Sequence, residues 1–398
     1  MASLHLFIKP ASGSCNLHCK YCFYTDVTSL RDISSYGIMS TDTLEHIVRK
    51  AFDYATDECT FSFQGGEPTL AGLSFYERLM ELCAIYNTEV CNGRTTPLKL
   101  HFAIQTNGYR LTEEWAAFFA RHHFLVGISL DGTIHTHNAF RRTADGKDTF
   151  ADIMRTIELF KKYNVEFNIL TVVNKKTAAS IDKIYHFYQK NHFEYLQFIP
   201  CLDPFKTAPG SQEYSLTPKE YGDFLCRLFD LWYTDFKAGQ GISIRQFDNY
   251  LSLILYGYAE ACDMNGVCSM QNVIEADGSV YPCDFFVLDE YRLGNLNEMD
   301  FPAINEKRKE LRFIEKSAVK PDSCMHCPHY TLCRGGCMRY RVMNSHALTA
   351  FRLSATEHSA SEATENIPTN YFCQSYRQFF DYTLPRLQEL AALVARVM

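Results

Sequence analysis

Through its first 240 residues the chain alternates short β-rich apolar runs with amphipathic runs of helical period. "LHLFIKP" (4–10) reads as a strand. "STDTLEHIVRKAFDYA" (40–55) reads as a capped helix, with Leu44, Ile47, Val48, Ala51, Phe52 and Ala55 on one face. The pattern recurs as strand 59–64 with helix 74–86, strand 99–105 with helix 112–122, and strand 124–130 with helix 149–163. It continues as strand 166–173 with helix 178–190 and strand 194–200 with helix 217–237. Strands that each precede a helix predict a parallel sheet with right-handed crossovers. Six such units fall short of the eight that close a barrel. The expected fold is therefore α/β, a partial (β/α)6 TIM-like barrel over 1–240.

After residue 240 the alternation stops. "SVYPCDFFVL" (279–288) reads as one strand of a small hairpin turning at "ADGS" (276–279). The remainder is cysteine-punctuated loop and short helix, which predicts a second domain over 241–398 held by metal rather than by a large core. "SYRQFFDYTLPRLQELAALVARVM" closes it as an amphipathic helix, and 345–370, rich in Ser, Thr, Ala and Glu, reads as a surface insertion.

The unusual residues fall at the carboxyl ends of the expected strands. "CNLHCKYC" follows the first, "QGGEP" (64–68) the second, "QTNG" (105–108) the third, "SLDG" (129–132) the fourth and "CLDP" (201–204) the sixth. Each alone is an ordinary turn composition. Together they line one rim, where barrels of this kind build active sites.

With 398 residues, 46% of them hydrophobic, the chain can bury a sizeable core. A net charge of −7 gives no footing for a nucleic-acid backbone. No apolar run reaches the roughly 18 residues that span a bilayer. "MASLHLFIKP" lacks a basic n-region, so it does not read as a signal peptide. The expected location is cytoplasmic, with neither nucleic acid nor membrane as partner.

Sixteen cysteines change the picture. Three lie at 15, 19 and 22, and eight at 262, 268, 283, 324, 327, 333, 337 and 373. The other five, at 59, 83, 91, 201 and 226, are scattered singly and read as buried small hydrophobes. Clustered cysteines in a long chain of this type point to metal binding or redox chemistry rather than to a disulfide framework. Thiolates at C-x3-C-x2-C can hold three irons of a [4Fe–4S] cube and leave the fourth open. Zinc completed by a distant residue such as His18 is the alternative on spacing alone. Tyr21 beside the last thiolate can cover an aromatic base, and "GGEP" offers a bare backbone edge for an amino group. That pairing suits S-adenosylmethionine as the ligand of the open iron.

On these motifs the chain resembles the radical S-adenosylmethionine enzymes. The later cysteines, with C-x2-C-x5-C-x3-C at 324–337 and a last one at 373, resemble the SPASM domain, which carries auxiliary clusters. "LFIKPASGSCNLHCKYCFY", "FSFQGGEPTLAGL", "GISLDG", "QFIPCLDP" and "SVYPCDFFVLDEYRLGN" extend the resemblance to the anaerobic sulfatase-maturating enzymes, from residue 4 to about 395. Those enzymes oxidise a cysteine or serine side chain of a sulfatase to Cα-formylglycine. The resemblance implies three [4Fe–4S] clusters and S-adenosylmethionine as cofactors. The substrate would be an unfolded Cys/Ser-x-Pro-x-Arg segment, and a donor such as flavodoxin or ferredoxin would supply electrons.

It also implies roles. Cys15, Cys19 and Cys22 would hold the first cluster; Cys262, Cys268, Cys283 and Cys337 the nearer auxiliary one; Cys324, Cys327, Cys333 and Cys373 the outer one. Tyr21, Gly66, Ser129, Arg141 and Leu202 would surround S-adenosylmethionine, Arg141 as a guanidinium clamp on its carboxylate. From the residues alone, Arg141 reads as one of a solvated pair with Arg142. Asp284 matches the family's catalytic aspartate, the base for the substrate thiol or hydroxyl; an aspartate beside a cluster thiolate is equally suited to tuning that cluster. Tyr24, Gln64, Gln105 and Asn107 are expected to line the substrate pocket. The loop 88–97 and the stretch between Cys337 and Cys373 are longer than the family pattern. The histidines at 122, 123, 135 and 137 read as solvated helix-end and loop residues. The alternative activity is radical maturation of a ribosomally made peptide by a thioether or crosslink; an electron-carrying iron–sulfur protein is the non-enzymatic one.

Overall fold

The computed structural model describes residues 3–88, 96–342 and 368–397. The expected insertion at 345–370 and the long loop at 88–97 lie largely outside these residues, as does Cys91. Among the described residues there are ten strands: β1 (Leu4–Ile8), β2 (Glu58–Phe63), β3 (Lys99–Thr106), β4 (Phe124–Ser129), β5 (Phe167–Val173), β6 (Tyr195–Pro200), β7 (Ser243–Ile244), β8 (Asn272–Ile274), β9 (Ser279–Tyr281) and β10 (Gly294–Asn295). The six expected βα strands are all present as β1 to β6. Among the described residues, no helix is long and apolar enough to cross a membrane.

The chain forms two compact units, each assembled from separate segments. Unit 1 comprises 1–129, 141–167 and 270–311. Here β1 to β4 pair in parallel and in chain order. Their register aligns Leu6, Phe61, Phe102 and Phe124 across the sheet. The rings of Phe61, Phe102 and Phe124 stack in sequence, with centroids 5.9 and 5.3 Å apart. This buried ladder on one face is what the period-2 alternation encodes. The helix Thr41–Tyr54 begins where Ser40 Oγ accepts from Thr43 N (3.1 Å), and buries Leu44, Ile47, Val48, Ala51 and Phe52.

The hairpin expected near "ADGS" forms as β8 and β9, and it is no separate appendage. β8 pairs in parallel with β1, Leu6 opposite Asn272 and Ile8 opposite Ile274. The Lys9 N–H then donates to the Ile274 carbonyl (2.8 Å). Residues from beyond position 270 thus extend the sheet of unit 1 past its first strand.

Unit 2 comprises 130–140, 168–269 and 312–398, with β5, β6 and β7 in parallel. The helix Pro218–Lys237 starts at a full capping box, Thr217 with Glu220. Against it lies the helix Cys373–Val397, through Gln378 to Asp223 (2.8 Å) and Arg386 to Asp230 (2.8 Å). Phe379 meets Phe229 and Phe247 on its buried side.

Three local expectations change. The helix expected over 178–190 is two helices, Lys175–Ala179 and Ile181–Lys190. Asn174 caps the first, its side chain accepting from Lys176 N and Thr177 N, and the chain breaks at Ser180. His137 is not solvated: it is fully buried, and its Nδ1 accepts from Asp131 N (3.2 Å). Cys226 is half-buried, whereas Cys59, Cys83 and Cys201 are buried as expected.

Candidate active site and cysteine cradles

The first three cysteines sit on the loop between β1 and the short helix Phe23–Ser29, with Cys22 as its N-cap. The loop folds on itself, Cys22 N donating to the Cys19 carbonyl (3.1 Å) and Leu17 N to Cys15 Sγ (3.4 Å). Two groups reach its sulfurs, Asn107 from the end of β3 and Arg141 from just after the helix Ile134–Phe140. Asn107 Nδ2 lies 3.7 Å from Cys15 Sγ, and Arg141 Nη1 lies 3.8 Å from Cys19 Sγ. Burial pushes the Cys15 thiol up to about 11, and the Asn107 donor works the other way, toward the thiolate form that iron binds.

"GGEP" is pressed against the same loop. Gly66 N donates to the Ser12 carbonyl (2.9 Å) and Glu67 N to the Ser14 carbonyl (2.8 Å). A Cβ on Gly66 would fall 2.0 Å from the Ser14 oxygen, so only glycine permits this approach. Arg141 is buried, its guanidinium 5.5 Å from the Tyr21 ring centre, while Arg142 pairs with Asp148 (3.1 Å) at the surface. The two arginines are therefore not a solvated pair. Ser129 is buried at the end of β4. Leu202, also buried, belongs to unit 2.

Around the end of β1, Lys9 is buried and bonds Asp284. Its Nζ stands 3.9 Å from the centre of the Tyr24 ring. The Tyr24 hydroxyl donates to Glu275, which also pairs with buried Arg31 (2.6 Å). Two cations, two carboxylates and a phenol thus share one network, buried except at Asp284. Phe23 meets Phe285 edge to face at 4.9 Å, tying the helix after the cysteines to the turn that carries Asp284. Gln64 is half-buried, Gln105 is exposed on β3, and Asn107 bonds Asn16 (2.7 Å).

In unit 2, Cys324, Cys327, Cys333 and Cys373 line one cavity of about 130 Å³, with Tyr330 and Phe380 also in its wall. Burial pushes the Cys333 thiol up to about 12, and the thiols of Cys373, Cys324 and Cys327 push the same way. Such a set holds its thiolates only against a positive core. Among the described residues no three such side chains stand close enough to hold a single metal ion, so a cavity lined by four cysteines would suit a cube better than one zinc. Burial likewise pushes the Cys337 thiol up, and the Cys268 thiol, the Asp263 carboxylate and the Cys262 thiol push the same way. Cys283 belongs to unit 1.

Comparison with known proteins completes the picture. The Radical SAM superfamily model matches residues 10–188, and the SPASM model, an iron-sulfur cluster-binding domain, matches 262–328. The chain is 46% identical to a cysteine-type anaerobic sulfatase-maturating enzyme of Clostridium perfringens, covering 98% of this chain and 99% of the relative. The chain belongs to the anaerobic sulfatase-maturating enzymes. A serine-type relative from Bacteroides thetaiotaomicron is 31% identical over 96% of this chain and 90% of its own. The solved structure of anSMEcpe with bound AdoMet and Cp18Cys peptide superposes with a TM-score of 0.88, at 45% identity, covering 99% of this chain and 100% of that one. This sulfatase-maturating enzyme is a radical S-adenosylmethionine oxidoreductase that generates formylglycine, and three [4Fe–4S] clusters and S-adenosylmethionine are its cofactors.

Two residues of this maturase escaped the sequence reading. Glu67 is fully buried, and its carboxylate accepts from Thr69 N (3.1 Å), Thr69 Oγ1 (2.7 Å), Thr106 Oγ1 (2.8 Å) and Asn107 N (2.8 Å). It locks "GGEP" to "QTNG". Lys9 is the other; a lysine directly after the apolar run "LHLFI" is the signal that was available, since lysine is seldom buried without a partner.

Proposed function

We propose that the enzyme is of the cysteine type, oxidising the cysteine of an unfolded Cys-x-Pro-x-Arg segment. The observation that carries this is the 46% identity to a cysteine-type relative over nearly both whole lengths, against 31% for a serine-type one. The chemistry supplied by the bound groups is hydrogen-atom abstraction at the substrate Cβ and uptake of one electron.

The chain's own residues do the rest. The thiols of Cys15, Cys19 and Cys22 hold the first cluster, and Tyr21, Gly66, Ser129, Arg141 and Leu202 bind S-adenosylmethionine. Asp284 takes the proton from the substrate thiol, and Lys9 fixes the direction of its carboxylate. Tyr24, Gln64, Gln105 and Asn107 line the substrate pocket, with the Tyr24 ring also against Lys9 Nζ. The sets 262/268/283/337 and 324/327/333/373 hold the auxiliary clusters. Functionally, 1–240 serves as the radical barrel and 241–398 as the SPASM portion. A ferredoxin- or flavodoxin-like carrier delivers the electron that starts each turnover, and eleven clustered thiols fit a reducing compartment, the cytoplasm.

The test is a pair of sulfatase peptides differing only in Cys or Ser at the reacting position, given to the reduced, reconstituted enzyme. Faster aldehyde formation from the cysteine peptide is expected. A higher rate from the serine peptide would overturn the assignment.

A further inference from the structure

Two buried cations in unit 2 have no carboxylate partner among the described residues. Lys320 Nζ donates to the carbonyls of Gly266, Ser317 (2.7 Å) and Ala318 (3.1 Å). Arg341 donates to those of Val319 (2.5 Å) and Ser317 (2.6 Å), and its Nε is buried without a partner. Both residues are more than nine-tenths buried, and among the described residues neither forms an ion pair. Burial works against both charges, and Arg341 also works against that of Lys320. The groups that work for them are mainly thiols: Cys268 and Cys324 for Lys320, and Cys337, Cys268 and Cys324 for Arg341, joined there by the Tyr330 phenol.

Their placement follows from the loops around them. The Lys320 stem is pressed against Gly335, between Cys333 and Cys337, where an added Cβ would meet Lys320 Cδ at 2.7 Å. Its ammonium reaches Gly266, two residues before Cys268. Ser317, whose carbonyl both cations share, accepts from Cys268 N (2.8 Å) through its hydroxyl. The segment 317–320 therefore holds two positive charges where thiols of both auxiliary sets converge.

We propose that Lys320 and Arg341 are positioning residues for electron flow, fixed positive charges that raise the reduction potentials of both auxiliary clusters. This rests on the assignment of Cys268 and Cys337 to one cluster and Cys324 to the other. When the substrate cysteine has lost its Cβ hydrogen and its thiol proton, one electron remains to be removed to leave the thioaldehyde. A [4Fe–4S] core with four thiolates passes from net −2 to −3 on accepting it. A nearby cation stabilises the more negative state more strongly, so net charge around a cluster moves its potential. Because thiols of both sets act on the same two cations, the cations favour placing the electron on either cluster.

The experiment is a potentiometric titration of the full-length reconstituted enzyme, followed by electron paramagnetic resonance, with iron content measured in parallel. Lys320→Met and Arg341→Met are expected to weaken the electron affinity of the auxiliary clusters about tenfold each, a fall of about 59 mV for one electron. The first cluster should stay unmoved. Lys320→Arg and Arg341→Lys keep the charge and should restore most of the shift, which separates charge from packing. Auxiliary potentials unchanged in the methionine variants, or shifted equally in the charge-keeping ones, would overturn the proposal. So would auxiliary iron lost equally from charge-keeping and neutral variants. Wild-type enzyme with only four irons would instead defeat the cluster assignment beneath it.

Discussion

Lys9 bonds Asp284 across 275 residues of sequence, from the end of the first strand to the turn after Cys283. Lys9 is buried, whereas Asp284 keeps 22% of its side chain exposed. The carboxylate is thus anchored on its inner side and open on the other. A base that must meet a substrate thiol needs that combination.

Asp284→Asn keeps the shape and removes the proton acceptor. Aldehyde formation should fall about 10²- to 10⁴-fold, with iron content and S-adenosylmethionine cleavage retained. Lys9→Met should lower it about tenfold to a hundredfold by letting the carboxylate wander, with Lys9→Arg recovering part. The stability loss in Lys9→Met should stay below the roughly 3–5 kcal/mol of a fully buried broken pair, because Asp284 is partly solvated. Counting 5′-deoxyadenosine against formylglycine in each variant checks this, and matched losses of both would remove the base assignment.

Gly66→Ala places a Cβ against the Ser14 carbonyl, which is backbone and has nowhere to go. We expect about 1–3 kcal/mol or more of overpacking strain, released by displacing the cysteine loop. First-cluster iron and S-adenosylmethionine binding should drop while auxiliary iron persists. Iron analysis with calorimetry of S-adenosylmethionine binding reads both.

Glu67→Gln swaps one accepting oxygen for a donating NH2 among four donors. The mismatch should cost about 1–3 kcal/mol and loosen Asn107 from Cys15. Thermal unfolding measures the first effect, and the resonance spectrum of the reduced first cluster measures the second. An unchanged spectrum would limit Glu67 to a purely mechanical part.

Eleven clustered cysteines predict about twelve irons in the reconstituted enzyme, four per cube. Replacing Cys15, Cys19 and Cys22 together by Ala should leave about eight and abolish 5′-deoxyadenosine release. Stoichiometric zinc with iron near zero would refute the cube reading.

What could be read beforehand follows the range of each interaction. The six βα strands were legible because alternation and helical period are local signals. Rim residues such as Gly66 and Asn107 were legible as a group because they follow strand ends. The β1–β8 pairing was not, since three-residue strands carry almost no pattern and the partner lies over 260 residues away. The buried state of Lys9, His137, Lys320 and Arg341 was equally hidden. Each is polar in sequence, and its partner is a distant carboxylate, a backbone group or a set of thiols. Glu67 was overshadowed by the glycines beside it.

The seating of β8 against β1 also has a consequence for biosynthesis. At roughly 5–20 residues per second, the partner edge of β1 leaves the ribosome on the order of 15–50 s after β1 itself. Through that interval the first strand has one unpaired edge, beside a loop carrying three free cysteines. A chain cut near residue 240 would keep that edge open permanently and would leave Lys9 with no carboxylate at 284. Halves of this enzyme expressed separately should therefore aggregate, and the nascent N-terminal half is where a chaperone has the most to protect.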